Sequence, residues 1–208
     1  MTSPLAQLFD DEKLVDKIRR RLPYLFQLAE LESSRAGKVG MEVGSLREKI
    51  LVALLIHKFG LQNVETEFPI TEPEIDAKLF GFPVSVKTIT RFGGVKLIWT
   101  VDSQKAREFR ETYTPKCEIL LVNIEWGGIG GLFYIPLQVQ ERIFEELGRE
   151  RCIKLPVPGT NPRGVELSKE ALLRLVKDKE TRSIEIEWQR TKIDFNPYQR
   201  WLDYWEKD

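Results

Sequence analysis

The sequence predicts one α/β domain with a mixed central sheet flanked by helices. Two observations favour this fold class. Polar and apolar residues alternate with a period of two over residues 72–91, which predicts a half-buried hairpin. Residues 95–126 then show the pattern of a strand, a helix and a second strand, which implies a crossover and a locally parallel sheet. The 208 residues are ample for one buried core.

The composition excludes several function classes. Hydrophobic residues make up 42% of the chain, and 32 basic residues balance 32 acidic ones. A protein that coats nucleic acid would be basic overall, so zero net charge counts against nonspecific coating. His57 is the one histidine, which excludes Ser-His and Cys-His triads unless it acts alone. Cys117 and Cys152 have no metal spacing, and we find neither a signal pattern nor a membrane span, so we expect a reducing, cytoplasmic location.

Two helices are predicted before the hairpin. Residues 10–31 form a charged amphipathic pattern in which Pro23 marks a break or a kink. The second helix, SLREKILVALLIHKFG, has a long apolar face that would bury against the sheet. Its Ser45 and Glu48 match a capping box, in which the carboxylate returns to the first amide, and Gly60 ends it.

The hairpin of residues 72–91 carries a charged pair. We expect a tight turn at Gly81 and Phe82 to join its strands. Pairing about that turn places Asp76 opposite Lys87, where directly opposed side chains have Cβ atoms roughly 4.5–5.5 Å apart.

Two interpretations of this pair are open. A cross-strand ion pair on a solvated face would contribute roughly 0–1 kcal/mol. The alternative is a metal-dependent phosphodiesterase centre, because Mg²⁺ binds carboxylates, carbonyls and waters, and a neighbouring lysine can orient or deprotonate the attacking water. Asp76, the Val86 carbonyl and Lys87 supply those groups, and Glu74 and Ser85 share their face.

The pattern of an aspartate, a hairpin and a lysine resembles the PD-(D/E)xK nuclease superfamily, which includes most type II restriction endonucleases. EID at residues 74–76 stands where the superfamily has its first acid, and SVK at residues 85–87 stands where it has (D/E)xK. The run SVKT is also similar to the ExKT of the mismatch-repair nicking nuclease MutH. Ser85 departs from the pattern, since an acid is usual there. Some restriction enzymes with SxK recruit the missing carboxylate from elsewhere in the chain.

Glu48 is our candidate for that missing carboxylate. Many nucleases of this superfamily hold a glutamate on the helix before the hairpin, and GSLRE resembles that element. The resemblance implies that Asp76, Glu48 and the Val86 carbonyl hold Mg²⁺, while Lys87 positions the attacking water. Ser85 would bond a water or the phosphate. A role for Glu48 as a helix cap is the alternative.

The elements after the hairpin complete the predicted sheet. VKLIWTV at residues 95–101 predicts a buried strand, residues 103–113 a helix and residues 117–126 an apolar strand. GGIGG at residues 127–131 lies between two strands, which favours a hairpin loop over a phosphate cradle. A helix is predicted over residues 136–148.

Four residues are candidates for DNA contacts. Asn161 and Arg163 lie in the proline- and glycine-rich loop 156–164, and arginine and asparagine suit guanine and adenine edges. A plain surface loop is the alternative there. Met41 lies between glycines, either packing locally or inserted as an apolar wedge at a base step. Arg91 ends the hairpin.

The last part of the chain predicts a helix capped by Ser168, a strand over residues 182–189 and an aromatic closing helix. In that closing helix Trp201 and Trp205 lie one turn apart. We expect them to pack into the core or into a subunit interface rather than to stack on bases.

The function that we predict from these residues is Mg²⁺-dependent, sequence-specific cleavage of double-stranded DNA by a type II restriction endonuclease, leaving 5′-phosphates. A symmetric DNA site would imply a homodimer. We expect a single domain, 1–208, with a core at about 44–150 and an elaboration for recognition or dimerisation at about 151–208. A nicking nuclease or a junction resolvase is the alternative, as is a non-catalytic DNA-binding protein, for which Ser85 is the best argument.

Overall fold

The computed structural model describes residues 3–35, 38–40, 42–68, 74–100, 102–157 and 164–207. The α-helices of these residues are α1 (Gln7–Asp10), α2 (Glu12–Glu32), α3 (Val43–Phe59), α4 (Ser103–Thr112), α5 (Leu137–Leu147), α6 (Arg149–Cys152), α7 (Lys169–Lys177) and α8 (Gln199–Trp205). The strands are β1 (Ser34–Arg35), β2 (Lys38–Val39), β3 (Val64–Glu65), β4 (Ala77–Leu79), β5 (Phe82–Thr90), β6 (Val95–Ile98), β7 (Glu118–Ile124), β8 (Ile129–Ile135), β9 (Ile153–Lys154), β10 (Val165–Leu167) and β11 (Arg182–Glu187).

The main sheet has six strands in the order β11-β8-β7-β5-β4-β3. β5 and β7 are parallel, and the remaining neighbours are antiparallel. The predicted mixed central sheet flanked by helices is therefore confirmed. The hairpin strand β5 lies inside the sheet, and β11 and the short β3 form its edges.

The crossover differs from the prediction in its first strand. The sequence order suggested that β6 lies in the sheet with β7, but β6 pairs antiparallel with β10 in a separate three-stranded sheet. The parallel neighbour of β7 is β5, with Val84 paired to Glu118 and Thr90 to Ile124. The locally parallel sheet is thus present, and β6 and α4 both belong to the connection. Since β10 lies far downstream in the chain, the local order of elements does not reveal this pairing.

Helices cover both faces of the main sheet. On one face, Phe26 of α2 and Leu55 of α3 belong to the same buried cluster as Val86 of β5. On the other face, Val139 of α5 is buried in one cluster with Leu121 of β7 and with residues of α4 and α7. β5 is therefore enclosed on both sides, and its polar residues lie in a half-buried setting instead of on a solvated surface.

Several local predictions are confirmed. α3 ends at Gly60, whose φ of 88° is unfavourable for other residues. The Ser168 side chain caps α7 by accepting a hydrogen bond from the Ala171 N–H at 3.1 Å. β7 and β8 form the hairpin predicted around the GGIGG run, with Gly127 in its turn at φ 82°.

Two other local predictions differ from the structure. α2 runs through Pro23 without the predicted break, and a kink at this proline stays a prediction. Trp201 is 54% exposed and Trp205 is 88% exposed, so the closing helix does not pack them into the core of this chain. Their role in a subunit interface stays a prediction. The free cysteines Cys117 and Cys152 are both buried.

Within the described residues, no helix is both long and apolar enough to span a membrane.

Candidate active site

The turn that joins β4 and β5 lies one residue earlier than predicted. Leu79 pairs with Phe82 and Ala77 with Val84, which leaves Phe80 and Gly81 as the two turn residues. Both have positive φ, 50° for Phe80 and 82° for Gly81, as a two-residue hairpin turn of the primed type requires. The predicted turn at Gly81 and Phe82 is therefore wrong. The resulting register differs by two residues, so every side chain keeps its face.

Asp76 does not stand directly opposite Lys87. Its N–H donates to the Val84 carbonyl at 3.0 Å, and the register continued by one residue places it across from Ser85. Lys87 is the diagonal neighbour, and a diagonal distance of about 7–8 Å is within reach of a long side chain. The Lys87 Nζ accordingly donates to Asp76 Oδ2 at 3.0 Å.

The same carboxylate oxygen of Asp76 receives two further hydrogen bonds. The Val86 N–H donates to Oδ2 at 2.7 Å, and the Ser85 hydroxyl lies 3.4 Å away, a long contact. Side-chain exposure is 24% for Asp76 and 15% for Lys87. The pair is therefore well enclosed, and a solvent-screened surface ion pair does not describe it.

Val86 can bond a side chain because β4 is short. In the ladder with β5, β4 reaches back only to Ala77, opposite Val84. No other described strand pairs with that side of β5 beyond Val84. The N–H and C=O of one strand residue point to the same side, so the Val86 carbonyl is also directed to this open side, next to Asp76.

Glu48 comes to this site from α3. The helix begins at Val43, two residues before the predicted start, and no side chain caps it. Ser45 is therefore inside the helix, and the predicted capping box is wrong. Glu48 is half-buried and lines the same cleft as Asp76 and Lys87. Among the described residues it has no hydrogen-bond or ion-pair partner.

The environment of Glu48 disfavours its charged form. Burial raises the pKa of Glu48 to about 7, and the charge of Asp76 acts in the same direction, while Lys87 lowers it. Two carboxylates thus share one half-buried cleft. Either a proton or a cation bound between them would reduce the repulsion of the two carboxylates.

The cleft has a volume of about 500 Å³ and extends beyond these acids to Arg91, Lys96 and Trp99. Arg91, a predicted DNA contact, lies here with its side chain 83% exposed and its φ at 59°. Trp99 is 70% exposed, although the sequence suggested a buried strand, and sequence reasoning missed it together with Lys96. The alternation of Val95, Lys96 and Leu97 marks Lys96 as outward-facing and could have pointed to it.

The other predicted site residues are placed as follows. Glu74 is half-buried and lines a small cavity of about 20 Å³ with Ser85 and Lys87. Burial raises the pKa of Glu74, and Lys116 and Lys87 lower it. Met41, Asn161 and Arg163 lie outside the described residues.

The residues at the cleft fit a hard divalent cation. Asp76 and Glu48 offer carboxylates, and Asp76 Oδ1 accepts no hydrogen bond from the described residues. Within the described ranges no set of three or more His, Cys, Asp or Glu side chains forms a metal-binding group. A cation here would therefore complete its shell with the Val86 carbonyl, waters or phosphate oxygens, as Mg²⁺ commonly does.

A sheet with an Asp-Lys hairpin, joined by a glutamate from the preceding helix, is the arrangement expected of a restriction endonuclease. Residues 8–207 match the family model described as Restriction endonuclease ThaI. The match spans nearly the whole chain, and the chain belongs to the ThaI restriction endonuclease family. The predicted type II restriction endonuclease is thereby confirmed over a nicking nuclease or a resolvase.

A solved structure supports the same assignment. It is described as a restriction endonuclease in complex with substrate DNA and is 61% identical to this chain, with a TM-score of 0.92. The similarity covers 98% of this chain and 99% of that one. No curated protein matches the chain.

Proposed function

We propose that this restriction endonuclease cleaves double-stranded DNA in a Mg²⁺-dependent reaction at the cleft of Glu48, Asp76 and Lys87. The observation that carries the proposal is the hydrogen bonding of the two acidic side chains. Asp76 is held at one oxygen by Val86 and Lys87, and the nearby Glu48 carboxylate lacks a partner in the described part of the chain. These residues are arranged to share a cation.

Asp76, Glu48 and the Val86 carbonyl would hold Mg²⁺. When bound, Mg²⁺ supplies a Lewis acid that stabilises charge on the scissile phosphate and lowers the pKa of nearby water. The hydrogen bonds to Asp76 Oδ2 fix the orientation of this carboxylate and leave Oδ1 for the cation. Because the Asp76 side chain is already oriented in the free protein, it loses little conformational freedom when the cation and DNA bind.

Lys87 would position the attacking water and offset negative charge on the phosphate. Its ammonium group has three donors and uses one of them on Asp76, which leaves two for water and phosphate. Ser85 is 5% exposed, so its hydroxyl is better placed to steady Asp76 than to reach the phosphate directly.

The proposed chemistry is that of the PD-(D/E)xK superfamily, because the EID and SVKT runs of this chain resemble its motif. In-line displacement would leave 5′-phosphate and 3′-hydroxyl ends. Glu48 takes the place of the acid that this superfamily usually carries at the position of Ser85. The support for this exchange is the position of Glu48 in the same cleft as Asp76.

DNA would bind across this cleft to a homodimer. The 61%-identical neighbour is described in complex with substrate DNA, which supports the same partner for this chain. Arg91 would contact DNA from the cleft, and Met41, Asn161 and Arg163 would do so from segments outside the described residues. A twofold-symmetric target would engage two copies of the chain. Two buried, unpaired cysteines suit a reducing cytoplasm.

The test uses plasmid and long genomic DNA, with and without Mg²⁺. We expect discrete fragments with Mg²⁺ and none with a chelator, and end-labelling should detect 5′-phosphates. Lys87→Ala should give no fragments, whereas Lys179→Gln, an exposed lysine outside the cleft, should cleave like the wild type. Metal-independent fragments, or fragments from the Lys87→Ala protein, would contradict the proposed site.

A further inference from the structure

Trp99, which is exposed, and Lys96, which is half-buried, lie together in the active-site cleft. The Lys96 Nζ lies 3.4 Å from the centroid of the Trp99 ring, a cation–π contact. Trp99 is nevertheless 70% exposed. Tryptophan is enriched at binding interfaces, so a Trp side chain left open inside a cleft points to a binding surface.

The pair lies where DNA would pass. Both residues line the cleft that contains Glu48, Asp76 and Lys87. Of the described charged residues in that lining, Lys87, Arg91 and Lys96 are basic and Glu48 and Asp76 are acidic. The cleft thus has a small positive balance in a chain of zero net charge. Positive charge at this place suits a polyanion.

The backbone beneath the pair is held firmly. β6 pairs with β10, with Ile98 opposite Val165. Gly164, which precedes β10, has φ 103°, and a Cβ there would lie 3.0 Å from the Trp99 Cα and would clash with the Ile98 carbonyl oxygen. Only glycine permits this close approach. The second sheet therefore fixes the backbone that carries Trp99 and Lys96.

The chemistry of the pair favours the DNA backbone as its ligand. Base faces in a duplex are stacked and unavailable, while deoxyriboses and phosphates line the outside. The open part of an indole ring packs against the apolar face of a sugar, and an ammonium beside it neutralises a phosphate. The sugar and the phosphate of one nucleotide are neighbours, so they can contact Trp99 and Lys96 at the same time.

We propose that Trp99 and Lys96 together bind a sugar and phosphate of the cleaved strand, next to the scissile phosphate. This inference rests on the proposed function of the cleft. The pair positions DNA and takes no part in the chemical step. It should therefore affect DNA affinity much more than the cleavage rate of bound DNA.

The experiment measures DNA binding with Ca²⁺ in place of Mg²⁺ and single-turnover cleavage with Mg²⁺. Trp99→Ala should raise the Kd about tenfold, because it removes the apolar contact with the sugar. It should leave the rate at saturating enzyme within about twofold, while Trp99→Phe should restore most of the affinity. Lys96→Gln should lower the slope of log Kd against log salt by about 0.9, the value for one lost phosphate contact. Leu61→Ala, at an exposed apolar residue outside the cleft, and Lys179→Gln are the matched controls.

The outcomes separate this inference from the proposed function. If the wild type cleaves DNA with Mg²⁺ but Trp99→Ala binds within twofold of it and Lys96→Gln keeps the full salt slope, the inference alone is overturned. A loss of cleavage rate without a loss of affinity overturns it as well, because the pair would then act in the chemical step. A wild type that neither binds nor cleaves DNA with a divalent metal overturns both.

Discussion

The carboxylate of Asp76 and the ammonium of Lys87 lie 3.0 Å apart although the two residues are diagonal neighbours across the hairpin. The lysine reaches back along the strand to the oxygen that also accepts the Val86 N–H. This arrangement ties the orientation of the acid to the backbone of β5. It makes the two side chains a unit, and the effects of changing them should be non-additive.

Asp76→Ala and Lys87→Ala should each abolish cleavage. We expect losses of at least about a hundredfold, or roughly 2.7 kcal/mol, because one removes the proposed cation ligand and the other the residue proposed to position water. The measurement is single-turnover cleavage at saturating Mg²⁺, with thermal unfolding to verify the fold. Lys87→Ala should largely keep DNA binding. Cleavage within about tenfold of wild type by either variant would place the active site elsewhere.

Glu48→Gln should weaken Mg²⁺ binding by about tenfold or more, since it removes a negative charge from the proposed hard-cation site. Thermal stability without metal should hold or rise, because the change ends the repulsion between Glu48 and Asp76 in a half-buried cleft. The control is Glu42→Gln, at the exposed residue before α3, whose side chain makes no capping hydrogen bond. Lower stability with unchanged Mg²⁺ dependence would refute the ligand role.

The pKa of Glu48, about 7, predicts that Mg²⁺ and a proton compete for this carboxylate. The group is protonated below pH 7 and charged above it, so Mg²⁺ should bind about tenfold more weakly at pH 6 than at pH 8. The measurement is a Mg²⁺ titration of cleavage at both pH values. Glu48→Gln should flatten this difference, and an equal Mg²⁺ requirement in the wild type would disprove the competition.

The metal-free protein should lose stability as pH rises, whereas its Mg²⁺ binding should strengthen. The pKa of Glu48 is raised in the folded state from the ordinary value of 4.5, so the folded protein keeps a proton that the unfolded chain releases. This carboxyl therefore makes the fold less stable as pH rises from 4.5 to 7. The free energy of unfolding, measured with denaturant between pH 4.5 and 7, should fall with pH in the wild type and not in Glu48→Gln. Parallel curves would show that Glu48 does not titrate there.

Arg163→Ala should weaken binding to the cognate site and relax the preference at one base pair. A bidentate arginine–guanine contact contributes roughly 1–3 kcal/mol of discrimination. Binding to a panel of singly substituted sites would measure this, and Asn161→Ala should act at a different position. Arg107→Ala, at an exposed arginine of α4, is the control. Uniform weakening on every sequence would instead indicate a phosphate contact, and unchanged affinity would return the loop to a plain surface role.

The position of the hairpin that carries Asp76 and Lys87 could be predicted from the sequence, but its register could not. A bulky aromatic residue rarely adopts positive φ, so nothing in the sequence indicated that Phe80 would join Gly81 in the turn. The error amounted to two residues of register, and the period of a strand is also two. Asp76 and Lys87 therefore stayed on one face, and the predicted pair survived the wrong turn.

Long-range partners were harder to predict than local elements. β6 was expected beside β7, yet it pairs with β10, and local alternation carries no information on such a partner. The capping box at Ser45 and Glu48 was wrong because α3 continues through Gly44 to Val43. Trp99 was assigned to a buried strand, but β6 ends at Ile98, before it.

The parallel pairing of β5 with β7 bears on how the protein folds. Val84 pairs with Glu118, 34 positions further along the chain, so this ladder must close a loop with an entropy cost of about 3 kcal/mol. Such a ladder forms late and is lost together with the rest of the sheet. The β5 amides that are hydrogen-bonded to β7 should thus exchange with solvent only on global unfolding. Nuclease activity during denaturation would then report the folded fraction of the whole chain.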